Sequence, residues 1–168
     1  MESSQKLVLI TGVTGYLASH VCLLFLQDGR YRVRATVRDK SDALKMDALY
    51  KAMGEENFKK MEIVEAELLD TESLERAVEG CEYVIHVASP VPRKPPKDEN
   101  AVIRPAVEGT LTLLRASKQY GVKRVVLTSS CTTIMCREPA NMKEVYTEED
   151  WADTTIADPY VKSKLLAE

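Results

Sequence analysis

The stretch Lys6-Leu7-Val8-Leu9-Ile10-Thr11-Gly12-Val13-Thr14-Gly15-Tyr16-Leu17-Ala18 carries two patterns back to back. Residues 6–11 form a continuous apolar run of strand length, the pattern that a parallel strand buried on both faces requires. Gly12 ends it. From Gly15 onward the apolar residues Leu17, Ala18, Val21, Leu24 and Phe25 follow helical spacing. Gly29 then stands where a helix end calls for a left-handed residue. The segment therefore predicts strand, tight turn, helix, with the run Leu23 to Leu26 packed on a sheet and Gly12, Gly15 and small Ala18 shaping the turn.

The same alternation continues outward. Residues 31–37 alternate Val33, Ala35 and Val37 with Arg32, Arg34 and Thr36 and predict a second strand stopping at Arg38. A helix over 42–53 closed by Gly54, a strand over 61–66, and a short helix capped by Asp70 and ended by Gly80 come next. A fourth strand spans 83–88. Pro90, Pro92, Pro95 and Pro96 then exclude both ladder pairing and helix, so 89–97 is an extended loop. A long helix runs to about Tyr120, with Pro105 kinking it or marking its first turn, and a fifth strand covers 122–128. Residues 131–157 show no period. Asp158 with Pro159 opens a last helix as N-cap and first helical residue. Strands alternating with helices predict one parallel sheet covered on both faces, in a single domain over 1–168.

Composition excludes several classes. The 168 residues are 45% hydrophobic and 29% charged with a net charge of −3, which is ordinary for a globular chain and gives no footprint for nucleic acid. Apolar runs fall far short of the ~20 residues of a membrane span. Residues 1–6 show no leader pattern, so the expectation is a cytoplasmic protein. Cys22, Cys81, Cys131 and Cys136 form no metal-ligand spacing with the two histidines, His20 and His86, and are expected as reduced thiols with no metal site.

Three positions carry chemistry. The G-x-x-G-x-x-A turn between strand and helix predicts a dinucleotide site: Gly15 lets backbone approach a diphosphate, which rests on the helix N-terminus. Arg38, at the end of the second strand, lies where the adenosine ribose is read. A guanidinium there matches a 2′-phosphate and predicts NADP(H) over NAD(H), with Lys45 as a second charge and Asp39 as a counterweight. Tyr160 and Lys164 are four apart on one helix, so an ammonium can stabilise a phenolate, and Ser129 and Ser130 follow the fifth strand at the edge where such sheets bind ligands. An ordinary helical pair is the plain alternative for Tyr160 and Lys164. His86 is expected as a buried, satisfied imidazole, Trp151 as an anchor onto the core, and Cys131 as unreactive.

Taken in order, Thr11-Gly-x-x-Gly-x-x-Ala18, Thr36-Val-Arg38-Asp39, Glu67-Leu68, His86-Val-Ala-Ser-Pro90, Pro105-Ala-Val-Glu-Gly-Thr110, Thr128-Ser-Ser130 and Tyr160-x-x-x-Lys164 resemble the extended short-chain dehydrogenase/reductases. The chain is most similar to their dihydroflavonol reductase and cinnamoyl-CoA reductase-like branch. That resemblance implies a Rossmann-type doubly wound sheet and an NADP(H)-dependent reductase of a small-molecule ketone or aldehyde. Ser130 would hold the carbonyl, Tyr160 deliver the proton, and Lys164 bond the nicotinamide ribose and keep Tyr160 acidic. It places cofactor contacts on Gly12, Thr14, Gly15, Tyr16, Leu17, Arg38, Lys45, Val87 and Ala88, with Glu67 and Leu68 near the adenine. Ala106 stands where epimerase-type members carry an asparagine, and Glu67 where an aspartate is usual. Relatives continue past the Tyr/Lys helix, so the further strands and substrate domain are expected to be missing, and relatives that dimerise through two long helices imply a homodimer. A catalytically silent NADP-binding module and a sugar-nucleotide epimerase/dehydratase or hydroxysteroid dehydrogenase stay open as alternatives.

Overall fold

Alternation along the first strand sets the layers of the molecule. In this computed structural model, which describes residues 5–92 and 94–168, Val8 and Ile10 face one core with Ala18, Cys22, Leu26, Leu49 and Met53. Leu9 faces the other, with Leu74, Ala77, Val78, Leu113 and Ala116. All three strand residues are fully buried, so an apolar layer covers each face of the sheet. Residues 1–4, on which the leaderless reading partly rests, and Arg93 in the proline-rich loop lie outside the described residues.

The strands are β1 (Lys6–Ile10), β2 (Tyr31–Val37), β3 (Met61–Glu65), β4 (Tyr83–His86) and β5 (Arg124–Leu127). Between them lie α1 (Tyr16–Asp28), α2 (Ala43–Lys60), α3 (Thr71–Val78) and α4 (Asn100–Gln119). After β5 come α5 (Thr132–Met135), a 3₁₀ turn at Pro139–Asn141 and α6 (Pro159–Ala167). The sheet is wholly parallel, ordered β3-β2-β1-β4-β5, with Val8 opposite both Val33 and Tyr83. This is the doubly wound Rossmann-type arrangement: the order reverses between β1 and β4, and all five strand C-termini open on one edge. Among the described residues no helix is long and apolar enough to cross a membrane.

Helix ends follow the local chemistry. The carboxylates of Asp42, Asp70 and Asp158 accept from the N–H groups of Lys45, Ser73 and Val161 at 3.1, 3.1 and 2.9 Å, capping α2, α3 and α6. Gly29 ends α1 with φ 73°.

Several boundaries differ from the sequence expectation. Gly54 breaks helical geometry (φ 71°, ψ 159°), yet helix resumes at once and α2 reaches Lys60. The Glu55–Lys59 ion pair and an edge contact of Tyr50 with Phe58 across the break support the extra turn. Pro105 neither starts nor ends α4, since five helical residues precede it. β4 stops at His86 and β5 spans only 124–127, because the chain turns into the ligand-facing loops sooner than the apolar pattern suggests. Leu24 projects outward from α1 at 66% exposed. Trp151, expected as a surface anchor onto the core, is 54% exposed.

Candidate active site

The turn after β1 is fixed by two threonine hydroxyls on neighbouring strands. Thr36 Oγ1 accepts the Gly12 N–H at 2.9 Å, and Thr11 Oγ1 accepts the N–H groups of Val87 and Ala88, both at 3.0 Å. Gly12 has φ 73°, and a Cβ there would lie 3.1 Å from the Ala88 Cβ. Gly12 is thus required twice over, for its left-handed backbone and for the close approach of the β4 loop. A Cβ on Gly15 would come within 3.2 Å of the Gly12 carbonyl oxygen.

Unlike α2, α3 and α6, α1 has no side-chain cap, and no acidic residue stands in its first turn. Gly15 donates its own N–H to the Gly12 carbonyl at 2.9 Å, and its carbonyl accepts from Ser19 at 3.0 Å. The N–H groups of Tyr16, Leu17 and Ala18 therefore precede the helical ladder and point out of the helix end. Thr14, Tyr16 and Leu17 are exposed beside them, while Ala18 is buried against the sheet.

Arg38 is exposed at the end of β2 and makes no ion pair or side-chain hydrogen bond among the described residues. Lys45 differs, because its Nζ rests on the Asp42 carboxylate at 2.8 Å. Asp39 bonds Ser41 through both the N–H (2.7 Å) and the hydroxyl (2.6 Å). Those bonds hold its carboxyl below the usual carboxylate range. Glu67 and Leu68 follow β3 in a turn braced by the Glu67 N–H on Ser73 Oγ at 3.1 Å. Leu68 packs on Gly109 of α4 so closely that a Cβ there would lie 2.8 Å from Leu68 Cδ2 and 2.9 Å from its Cβ. Gly109 shapes this wall of the site; its only local signal was a glycine inside a helix, where it costs about 1 kcal/mol.

Ser130 and Lys164 converge on the end of β5. Lys164 is 8% exposed and donates from Nζ to the Thr128 carbonyl at 2.6 Å. Burial lowers its pKa, and the Glu168 carboxylate opposes the shift. Ser130 Oγ pairs with Thr132 Oγ1 at 2.8 Å and accepts the Thr132 N–H at 3.2 Å. The Tyr160 side chain is half-buried and its hydroxyl bonds neither Ser130 nor Lys164 among the described residues. His86 is buried, with Nδ1 2.8 Å from Thr11 Oγ1. Because that oxygen already accepts two N–H groups, its proton goes to Nδ1, so the ring is neutral and protonated on Nε2. Burial first, then the Lys164 charge, pushes its pKa down to about 4. Beside Ser130 a cleft of about 390 Å³ opens, bounded by Ser129, Cys131, Ile134, Glu148 and Trp151.

This geometry, a glycine turn under an uncapped helix with Ser130 and Lys164 at the same sheet edge, agrees with a family profile. Residues 8–168 match the NAD dependent epimerase/dehydratase family. The chain belongs to that family. It is 36% identical to tetraketide alpha-pyrone reductase 1 of Arabidopsis thaliana, over 100% of this chain and 52% of that protein. Dihydroflavonol 4-reductase of Zea mays is 37% identical over 99% of this chain and 47% of its own length. Cinnamoyl-CoA reductase CAD2 of Medicago truncatula is 37% identical over 100% and 53% respectively. Among solved structures, vestitone reductase from alfalfa superposes with TM-score 0.74 at 30% identity, covering 96% of this chain and 49% of that one. Yeast methylglyoxal/isovaleraldehyde reductase Gre2 complexed with NADPH gives TM-score 0.78 at 26% identity, covering 96% and 50%. This family member spans about half the length of the curated relatives it matches.

Proposed function

We propose that this protein is an NADPH-dependent reductase of small carbonyl compounds, with Ser130, Tyr160 and Lys164 at its reacting centre. The observation carrying the reading is the uncapped N-terminus of α1 above a turn whose Gly12 is left-handed and would bring a Cβ within 3.1 Å of Ala88. The residues present fit a phosphorylated dinucleotide. Free N–H groups at Tyr16, Leu17 and Ala18 suit a diphosphate, the exposed guanidinium of Arg38 suits a 2′-phosphate, and the walls at Leu68, Val87 and Ala88 suit flat rings. When bound, NADPH supplies the hydride.

Everything else falls to the chain. Ser130 donates its hydroxyl proton to the carbonyl oxygen, polarising it. Tyr160 delivers a proton to the same oxygen as it becomes an alkoxide. Lys164 uses one of its three N–H bonds on Thr128, which fixes the ammonium, and keeps two for a ribose and for the Tyr160 phenol.

Titration calorimetry with NADPH, NADP⁺ and NADH is the direct test. The expected result is saturable binding of both phosphorylated forms with NADH at least tenfold weaker. Absence of heat with NADPH, on protein that unfolds cooperatively, overturns the reading. Loss of NADPH absorbance in the presence of a ketone then tests the catalytic half, and replacement of Tyr160 by Phe should abolish it.

A further inference from the structure

Tyr16 opens α1 at the helix end where the diphosphate would rest, and it is 83% exposed. Two side chains from the next turn hold it there. Its carbonyl accepts the Ser19 hydroxyl and the His20 ring, each at 2.8 Å, and because a carbonyl only accepts, the proton of the second bond sits on His20 Nδ1. The same imidazole meets the Tyr16 ring, with centroids 4.5 Å apart and planes tilted by 47°. His20 is itself exposed, so the contact fixes one surface aromatic against another, four residues apart on the helix.

Helical side chains lean toward the N-terminus. Tyr16, in the first turn, has no preceding turn to lie on and projects past the helix end, while His20 leans the same way and backs it. Without such a neighbour an exposed phenol samples several rotamers, and a bound anion would have to restrict it. With His20 in place much of that freedom is gone before the anion arrives. A ring held at this position screens one side of the diphosphate seat from water, which strengthens the charge-assisted hydrogen bonds made there.

We infer that His20 is a positioning residue for the cofactor: its imidazole pins the Tyr16 ring across the open end of α1, and the ring closes one side of the diphosphate seat. This rests on the dinucleotide reading of the same turn. Calorimetry on the full chain compares NADPH, which carries a diphosphate, with 2′-AMP, which carries the adenosine and 2′-phosphate without one. His20→Ala should weaken NADPH about threefold to tenfold and leave 2′-AMP within about twofold. His20→Phe, which keeps an aromatic face, should return NADPH to within about twofold of wild type. In a Tyr16→Ala background His20→Ala should weaken NADPH no further, because both act through one ring. Unchanged NADPH affinity in His20→Ala, an equal loss for 2′-AMP, a Phe variant as weak as the Ala variant, or losses that add across the Tyr16→Ala background each overturn the inference and leave the cofactor reading standing. Failure of the wild-type protein to bind NADPH removes that reading first, and this inference with it.

Discussion

His86 should make the fold acid-sensitive in a window of its own. Its pKa falls from 6.5 to about 4 in the folded chain, because burial disfavours the cation and Lys164 repels it. Protonation would also set an N–H on Nδ1 against the donating hydroxyl of Thr11, 2.8 Å away. Between these two values the unfolded chain binds more protons, so stability is complete above pH 6.5 and declines as pH falls toward 4. Linkage gives a loss on the order of 1 kcal/mol at pH 5.5 and roughly 2–3 kcal/mol at pH 4.5. Asp28, Asp39, Asp42, Asp150 and Asp153, held below 3.8 by hydrogen bonds and neighbouring cations, lose their contribution only further down, as pH falls through their lowered folded values. Urea unfolding at pH 7.5, 5.5 and 4.5 measures the slope. His86→Asn, which keeps an acceptor for Thr11, should flatten it. A wild-type curve already flat over this range, or an equal slope in the variant, would refute the assignment.

Three further outcomes follow from contacts in the site. Gly12→Ala combines a left-handed backbone with a 3.1 Å approach to Ala88. It should destabilise the fold by roughly 2–4 kcal/mol in urea unfolding and abolish NADPH binding in calorimetry. Gly109→Ala should destabilise by about 1–3 kcal/mol, because the crowding against Leu68 outweighs the gain in helix propensity; a raised melting temperature would contradict the packing. Arg38→Asp should weaken NADPH by about tenfold to a hundredfold while leaving NADH no weaker, read by paired titrations.

Much of this was legible in the sequence where a local constraint admits few residues. β1 had to be apolar from Leu7 to Ile10 because helices cover both faces, and Gly12 had to lack a Cβ because φ is 73°. Asp42, Asp70 and Asp158 announced helix starts because their side chains do the work of the missing ladder. What stayed hidden depends on distant partners. The resumption of α2 after Gly54 relies on Phe58 reaching back to Tyr50. The exposure of Trp151 follows from a cluster joining Arg137, Lys143 and Asp150, and its acidic surroundings looked like an ordinary solvated stretch. Lys45 carried the right charge for a phosphate, but its pairing with Asp42 three residues earlier is a geometric outcome that charge pattern alone does not decide.

The threonines at the sheet edge explain why the turn, and with it the cofactor-binding geometry, stays in register. A parallel ladder runs out where strands enter diverging loops, leaving backbone N–H groups to be satisfied by something else. Thr36 answers Gly12 from β2, and Thr11 answers Val87 and Ala88 at the end of β4, so three neighbouring strand ends are bonded through two hydroxyls. The second hydroxyl has its proton committed to His86, which is neutral only while it remains buried beside Lys164. The glycine turn and the helix that carries Lys164 are thereby linked through one imidazole. A change that charged His86 would disturb both ends of the site together, without altering a residue expected to touch the substrate.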